Sequence, residues 1–147
     1  MKTFELPRTT RQTESLWRVS GLNASDGVGL IRQISEGLEG EVANRVAKWA
    51  NISQIDLRQL AGIPSTTFNR GLKHRFNASQ SERLVRVIRV IDRTVTLFEG
   101  DKTAAQKWLN EPNRGLNWQT PAELISSETG AYEVLQLITR IEHGVYS

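Results

Sequence analysis

Seven polar or basic side chains in one short stretch of this chain are suited to contacts with nucleic acid. They are Ser65, Thr66, Thr67, Asn69, Arg70, Lys73 and Arg75. The hydroxyl, amide and guanidinium groups at positions 66, 67, 69 and 70 can exchange hydrogen bonds with base edges in the DNA major groove. Lys73 and Arg75 can neutralise backbone phosphates. The stretch therefore predicts a DNA-binding surface.

The elements that would position these side chains are two short helices joined by a tight turn, in the stretch from Leu57 to His74. Apolar residues at helical spacing precede Gly62, which can adopt the left-handed conformation that ends a helix. Pro64 follows, and proline is well tolerated at the start of a helix. This is the layout of a helix-turn-helix, whose second helix enters the major groove.

A purely structural turn between two helices is the alternative, because such turns also occur in helical proteins that do not bind DNA. Arg58 favours this alternative. It stands four residues before the turn glycine, where a helix-turn-helix usually has a small residue. The charge of the surrounding chain favours the DNA-binding interpretation.

Positive charge is concentrated in the middle of the sequence. The net charge is only +3, but residues 41–99 carry ten Lys/Arg against five Asp/Glu. Residues 100–147 carry four Lys/Arg against six Asp/Glu. A basic middle around the turn is the electrostatic pattern of a phosphate-binding surface. The acidic last third indicates a different task for that part of the chain.

Four arginines on the next predicted helix extend this basic region: Arg83, Arg86, Arg89 and Arg93. They fall largely outside the apolar stripe of that helix. Either they form a solvated face, or some of them contact the DNA backbone beside the recognition helix. The sequence leaves both interpretations open.

Helical periodicity recurs along the chain and no segment alternates as a strand does, which predicts an all-α fold. Besides the second helix of the turn, helices with their cap residues are expected near 26–38, 41–50, 53–62, 79–100, 101–109, 120–125 and 130–143. Asp26 is the expected cap of the first of these helices. Ser79 and Glu82 have the spacing of a capping box at the start of the longest one.

Three regions are predicted. Residues 1–26 form an N-terminal arm, residues 27–78 hold the helix-turn-helix domain, and residues 79–147 form a second small helical domain. Within the arm we expect an ordered segment near residues 16–19, with Trp17 exposed or packed on a partner subunit. Dimerisation is expected through the N-terminal part of the second region, with Trp49 as the contact.

Several other classes of protein are disfavoured. The chain has no cysteine, which excludes disulfides and thiolate metal sites. No apolar run reaches the ~20 residues of a membrane span and no signal peptide is evident, so we expect a cytoplasmic protein. His74 and His143 lie in different modules, and no catalytic or phosphate-loop motif is present. We therefore predict neither enzymatic activity nor a cofactor.

A combination of residues along the turn and the last 70 positions is typical of one family. These residues are Gly62, Ile63, Pro64, Thr67, Ser81, Arg83, Gly100, Ala105, Trp108, Leu109, Pro112, Asn113, Leu116, Thr120, Pro121, Leu124, Thr129, Gly130, Val134, Ile141, Glu142, His143 and Gly144. The chain from residue 27 onward resembles the Xre/MbcA/ParS antitoxins, most closely the Xre antitoxins paired with RES-domain toxins. It departs from them at positions 68–70, which are less basic, and at Trp118, where a small residue is expected.

The resemblance implies a Cro/Xre-like helix-turn-helix that represses the shared operon and a C-terminal domain that binds the toxin. RES toxins are thought to deplete NAD, and the antitoxin's C-terminal end blocks the way to their active site. In this chain the blocking residues would be Arg140, Glu142, His143, Gly144, Val145, Tyr146 and Ser147. A homodimer on a palindromic operator DNA is expected with this arrangement.

Alternatives remain for the end of the chain and for the function. Tyr146 is suited to an interface, where its ring is buried and its hydroxyl keeps a hydrogen bond; it could instead fold back with Val145 onto its own core. The function could also be that of a plain transcriptional regulator whose second domain senses a ligand or another protein. A third possibility is an interaction module that has lost DNA binding.

Overall fold

The computed structural model describes residues 15–23 and 25–144. Within these residues the elements are α1 Leu16–Ser20, α2 Gly27–Glu36, α3 Gly40–Ala50, α4 Gln54–Ala61, α5 Ser65–Lys73, α6 Ala78–Leu97, α7 Lys102–Leu109, a 3₁₀ turn Arg114–Leu116, α8 Pro121–Leu124 and α9 Glu128–Glu142. Extended pairing in this part of the chain is limited to two isolated bridges, which confirms the all-α prediction. None of the described helices is long and apolar enough to cross a membrane.

The 20-residue helix α6 is the element on which the others pack. Its apolar residues recur at helical spacing and form a buried stripe of Leu84, Val87, Ile88, Ile91 and Val95. Burying one such side chain contributes about 1.5–3 kcal/mol to folding. Helices α2 and α4 pack on α6 from the helix-turn-helix half, and α7 and α9 pack on it from the C-terminal half. One continuous core therefore joins the two halves.

The start of α6 differs from the predicted capping box at Ser79 and Glu82. The cap is Asn77, whose side-chain Oδ1 accepts the N–H of Gln80 at 2.8 Å. The Gln80 side chain accepts the N–H of Asn77 at 3.2 Å, which completes a capping box two residues earlier. Asparagine caps a helix as well as serine does, so the sequence contained two competing starts and the structure uses the first.

Ser81 fastens α6 to the segments on either side of the helix-turn-helix. Its hydroxyl accepts the N–H of Leu38 at 2.8 Å and donates to the carbonyl of Phe76 at 3.4 Å. Leu38 lies between α2 and α3, and Phe76 follows α5. One buried hydroxyl thus fixes both segments against α6, which gives a physical reason for a position that carries the family resemblance.

The position of Trp17 contradicts the expectation that it is exposed or packs on a partner subunit. Helix α1 packs on α3 and α6, and Leu16 and Trp17 are 0% and 9% exposed. The Arg89 guanidinium lies 5.1 Å from the centre of the Trp17 ring, at a cation–π distance. Trp17 is therefore part of its own chain's core. The rest of the predicted arm, residues 1–14 and position 24, lies outside the described residues.

Helix α9 begins two residues before the predicted start at Gly130. Ser127 is its cap, because its hydroxyl accepts the N–H of Gly130 at 3.0 Å. A Cβ atom at Gly130 would lie 1.9 Å from the carbonyl oxygen of Leu124, so only glycine allows α8 and α9 to approach this closely. The close approach accounts for the glycine at this position.

Two other helix ends also differ from the prediction. Helix α6 ends at Leu97, three residues before the expected stop at Gly100. Asp26 precedes α2 but makes no capping hydrogen bond with its side chain. The predicted domain border between residues 78 and 79 falls in the first turn of α6, a helix that packs on both halves, and the division stays a prediction.

Candidate functional surfaces

Helices α4 and α5 and the turn between them have the predicted helix-turn-helix arrangement. Gly62 ends α4 in the left-handed conformation, with φ of +70°. Ile63 in the turn is only 2% exposed and anchors it in the core. Pro64 precedes α5 with φ of −62° and forms the start of the helix without a side-chain cap. The turn is thus fixed by backbone geometry and by one buried side chain.

Arg58, the residue that argued against a helix-turn-helix, stabilises the turn. Its guanidinium Nη1 donates to the carbonyl of Ile63 at 3.1 Å, and the side chain is half-buried. The carbonyl of Arg58 accepts the N–H of Ile63 at 3.2 Å. A long side chain is tolerated at this position because it lies across the turn and satisfies one of its carbonyl oxygens.

The inner face of α5 is packed tightly. Phe68 on α5 and Phe76 after it are 2% and 1% exposed, and their ring centres are 5.7 Å apart. A Cβ atom at Gly71 would lie 2.2 Å from the Phe76 ring, and one at Gly40 would lie 2.2 Å from the carbonyl oxygen of Leu72. Two glycines therefore let α5 lie close against α3 and Phe76, which holds the orientation of α5.

The outer face of α5 carries the predicted DNA-binding side chains. Thr67 is half-buried. The exposed side chains are Ser65, Thr66, Asn69, Arg70 and Lys73. In the described residues no ion pair or side-chain hydrogen bond engages Arg70 or Lys73. The structure brings these residues together on one polar, basic face, and their contact with DNA stays a prediction.

Arg75 is separated from this face by its contacts within the chain. Its guanidinium donates to the carbonyl of Gly37 at 2.6 Å and pairs with Glu39 at 3.5 Å. The Arg75 and Glu39 side chains are still 51% and 65% exposed. Arg75 thus joins the loop after α5 to the loop before α3, and a phosphate would compete with Glu39 for it.

Two of the four arginines of α6 connect the helix-turn-helix to the C-terminal half. Arg83 donates to the carbonyl of Gly62 at 2.8 Å. Arg86 donates from Nε to the carbonyl of Ile125 at 3.2 Å and from Nη2 to that of Ser126 at 2.9 Å. Burial lowers the pKa of the Arg86 guanidinium, and the charge of Arg83 lowers it further. Arg86 is therefore not simply a solvated side chain, because it binds two main-chain carbonyls of the C-terminal half; contact of these arginines with DNA stays a prediction.

The other two arginines of α6 are also engaged within the chain. Arg89 donates to the carbonyl of Ser25 at 3.1 Å, in addition to its contact with Trp17. Arg93 donates to the Thr139 hydroxyl at 2.8 Å and to Glu142 at 3.1 Å. These partners lie 46 to 64 residues away along the chain, so no local pattern in the sequence pointed to them.

The C-terminal end of the described chain is the last turn of α9. Arg140, Glu142, His143 and Gly144 are exposed. Glu142 is held by its ion pair with Arg93, in which the two side chains are 30% and 33% exposed. Val145, Tyr146 and Ser147 lie outside the described residues, so the alternatives for Tyr146 remain untested.

Trp49, the predicted dimer contact, is partly engaged within its own chain, and its role in a dimer stays a prediction. Trp49 is half-buried against its own core. The Lys102 ammonium of α7 lies 4.0 Å from the centre of its ring. The aromatic face predicted to meet a partner is therefore covered by an intramolecular cation–π contact.

Two exposed aromatic residues in the C-terminal half were not among the predicted toxin-binding residues. Trp118 and Tyr132 are 65% and 58% exposed. In the sequence, Trp118 stands out only as a departure from the family pattern, and Tyr132 lies on the polar side of α9 without any further signal. The exposed large apolar residues of the other half are aliphatic, namely Val28, Ile31 and Ile55.

A cavity of about 480 Å³ lies between the helix-turn-helix and the C-terminal half. Asp56, Gln59 and Leu60 of α4 line one side of it. Lys102 of α7 and Glu123 of α8 contribute to the other side. The described residues contain no group of three or more His, Asp or Glu side chains that could hold a metal ion.

These features define a class of protein: an all-α helix-turn-helix protein whose second helical domain packs on the same central helix. Residues 29–89 match the antitoxin Xre-like helix-turn-helix domain. Residues 93–144 match the C-terminal toxin-binding domain of the Xre/MbcA/ParS antitoxins. The two matched segments meet within α6. The chain belongs to the Xre antitoxin family, which confirms the resemblance seen in the sequence.

Two curated relatives extend over nearly the whole chain. An antitoxin Xre of Yersinia enterocolitica is 41% identical over 143 residues, which cover 96% of this chain and 97% of the relative. An antitoxin Xre of Photorhabdus laumondii is 38% identical over 138 residues, which cover 92% and 93%. A helix-turn-helix domain and a toxin-binding domain in one chain indicate two kinds of partner, DNA and a toxin.

Proposed function

We propose that this chain is the antitoxin of a type II pair, that it neutralises a RES-domain toxin with its C-terminal end, and that it represses its own operon as a dimer. The observation that carries the proposal is the pairing of a free basic face on α5 with a toxin-binding domain held against the same helix-turn-helix. The protein acts without catalysing a reaction, in the cytoplasm where operon DNA and NAD are found.

For repression, α5 enters the major groove with its outer face. Thr66, Asn69 and Arg70 meet base edges, with Ser65 and Thr67 beside them, and Lys73 meets a phosphate. The packing of Phe68 and the closely packed glycines supports this role, because a recognition helix loses less entropy on binding when its orientation is already fixed.

For neutralisation, the end of α9 would dock on the toxin. Arg93 holds Thr139 and Glu142, so the last helical turn is fixed to α6. Arg140, Glu142, His143 and Gly144 are exposed at this turn and would contact the toxin first. Val145, Tyr146 and Ser147 are proposed as the residues that block its active site. A fixed last turn supports the proposal because less entropy is lost when an ordered surface binds.

The test is a growth assay with the adjacent open reading frame. That gene is induced alone, with the full chain, and with the chain truncated after Gly144 or after Arg140. We expect arrest, rescue, and loss of rescue by both truncations. The variant ending at Gly144 keeps Glu142 paired with Arg93, so it separates loss of the end from loss of the last helical turn. Rescue by both truncations would move inhibition to another surface.

A second candidate function is that of a regulator whose C-terminal half senses a small ligand. The 480 Å³ cavity against α4 favours it, because a ligand there would touch the first helix of the helix-turn-helix. No growth arrest by the adjacent gene, together with binding of the chain to its own upstream DNA, would favour this function over the first.

A further inference from the structure

The segment between α7 and α8 presents a tryptophan to solvent from a strained backbone. Trp118 is 65% exposed and has φ of +67°, next to Asn117 with φ of +60°. Among the described residues it is the one aromatic residue with positive φ. A bulky residue in the left-handed region is a genuine outlier and persists only where the surroundings enforce it.

The surroundings of Trp118 are rigid. The main-chain N–H of Trp118 donates to the carbonyl of Asn113 at 2.8 Å. The main-chain N–H of Asn113 donates to the carbonyl of Gln119 at 3.1 Å. Leu116 in the same segment is 6% exposed. A Cβ atom at Gly115 would lie 2.9 Å from Leu137, so the segment is pressed against α9. The indole is thus presented by a fixed turn and not by a loose loop.

Transfer of such an indole from water into an apolar protein pocket is favourable. Tryptophan is enriched among the few interface residues that dominate binding energy, and its few rotatable bonds make it cheap to immobilise. A preorganised turn lowers the cost further. The exposed aromatics of the described chain, Trp118 and Tyr132, both lie within residues 93–144, the toxin-binding match. The occupant that fits is therefore the toxin.

We propose that Trp118 is an anchor that enters an apolar pocket on the cognate toxin and helps to select that toxin among related ones. The inference rests on the proposed function and adds a contact distinct from the C-terminal end. Selection would follow from shape, because a toxin without a pocket for the indole could not accommodate it.

The experiment uses the full chain and the purified product of the adjacent open reading frame, with binding measured by calorimetry. The variant Trp118→Gly removes the indole and also relieves the positive φ. Because the side chain is largely exposed, we expect the thermal midpoint to stay within about 4 °C of the unmodified chain. We expect the Kd for the toxin to rise by roughly 30-fold or more.

Two control variants match the two changes made at Trp118. Asn117→Gly relieves the same kind of backbone strain and keeps the indole. Ile55→Ala removes an exposed apolar side chain from α4 in the other half. Both are expected to change the Kd by less than about threefold.

The outcomes are distinguishable. An unchanged Kd for Trp118→Gly would overturn the anchor while the antitoxin function stands, since the unmodified chain binds. A change in self-association with an unchanged toxin Kd would assign the indole to a second copy of the chain and would also overturn the proposal. Failure of the unmodified chain to bind would contradict the proposed function, and the anchor with it.

Discussion

Two neighbouring helices carry basic side chains of the same type and use them in opposite ways. On α5, Arg70 and Lys73 are exposed and make no ion pair with the described residues. On α6, Arg86 and Arg93 donate to main-chain and side-chain oxygens far away in the sequence. A count of charges places both helices in one basic region. The contacts differ: the α5 charges are left exposed, whereas α6 uses its charges to hold the two halves together.

The largest expected effect concerns the internal arginines. Arg86→Ala leaves the carbonyl of Ile125, a residue that is 0% exposed, without its donor. Hydrogen bonds from charged groups contribute about 1.5–3 kcal/mol, so we expect a loss of about 2 kcal/mol in unfolding free energy and a Tm lower by about 4–8 °C. Chemical and thermal denaturation measure both quantities.

The matched variants are Arg86→Lys and Arg70→Ala. Lysine keeps the charge but lacks the planar fork that reaches two carbonyls, so an intermediate loss is expected. Arg70→Ala should leave the unfolding free energy within about 0.5 kcal/mol of the unmodified chain. Equal stability of the Arg86 and Arg70 alanine variants would remove the distinction between the two helices.

The next effect concerns DNA. Arg70→Ala is expected to weaken binding to the chain's own upstream DNA by about 1–3 kcal/mol and to relax specificity at one base position. Lys73→Ala should weaken binding equally on all DNA sequences. It should also lower the slope of log K against log salt concentration by about 1. Mobility shifts over a salt series measure both. Unchanged affinity of Arg70→Ala at fixed salt would remove Arg70 from the interface.

The local elements of this fold could be predicted from the sequence because their signals are local. The turn at Gly62, the cap at Asp101 and the Thr120–Pro121 helix start depend on residues three or four positions apart, and the structure has all three. The polar residues on the outer face of α5 follow from the same periodicity.

The long-range contacts could not be predicted from such signals. In the sequence, Arg58 disfavours a helix-turn-helix, but in the structure its side chain donates to the carbonyl of Ile63 and stabilises the turn. Trp17 was expected to be exposed or packed on a partner subunit, and it is covered by α3 and α6 of its own chain. Trp49 is covered in the same way by Lys102. A single sequence does not state which distant surface meets an aromatic ring.

The smallest expected effect concerns Asp92 on α6, whose carboxyl is partly buried within the molecule. Burial raises the pKa of the Asp92 carboxyl above 3.8, while hydrogen bonds from the Trp17 side chain and the Leu16 backbone and the charge of Arg93 partly oppose the shift. A raised pKa means that the folded state binds the proton more tightly than the unfolded state. The stabilising contribution is therefore complete below pH 3.8 and is lost as the pH rises through the folded-state pKa.

Asp92→Asn keeps the shape and one oxygen acceptor but removes the titration. The stability of the unmodified chain relative to this variant should therefore increase as the pH falls from 7 towards 4, by less than about 1 kcal/mol. Asp56→Asn, the same substitution at an exposed position on α4, is the control. Urea unfolding over this pH range measures the difference. A relative stability that falls with decreasing pH would mean that Asp92 is held mainly by Arg93 as an ion pair. Helix α6 would then carry a charge pair where we infer a half-buried carboxyl beside Trp17.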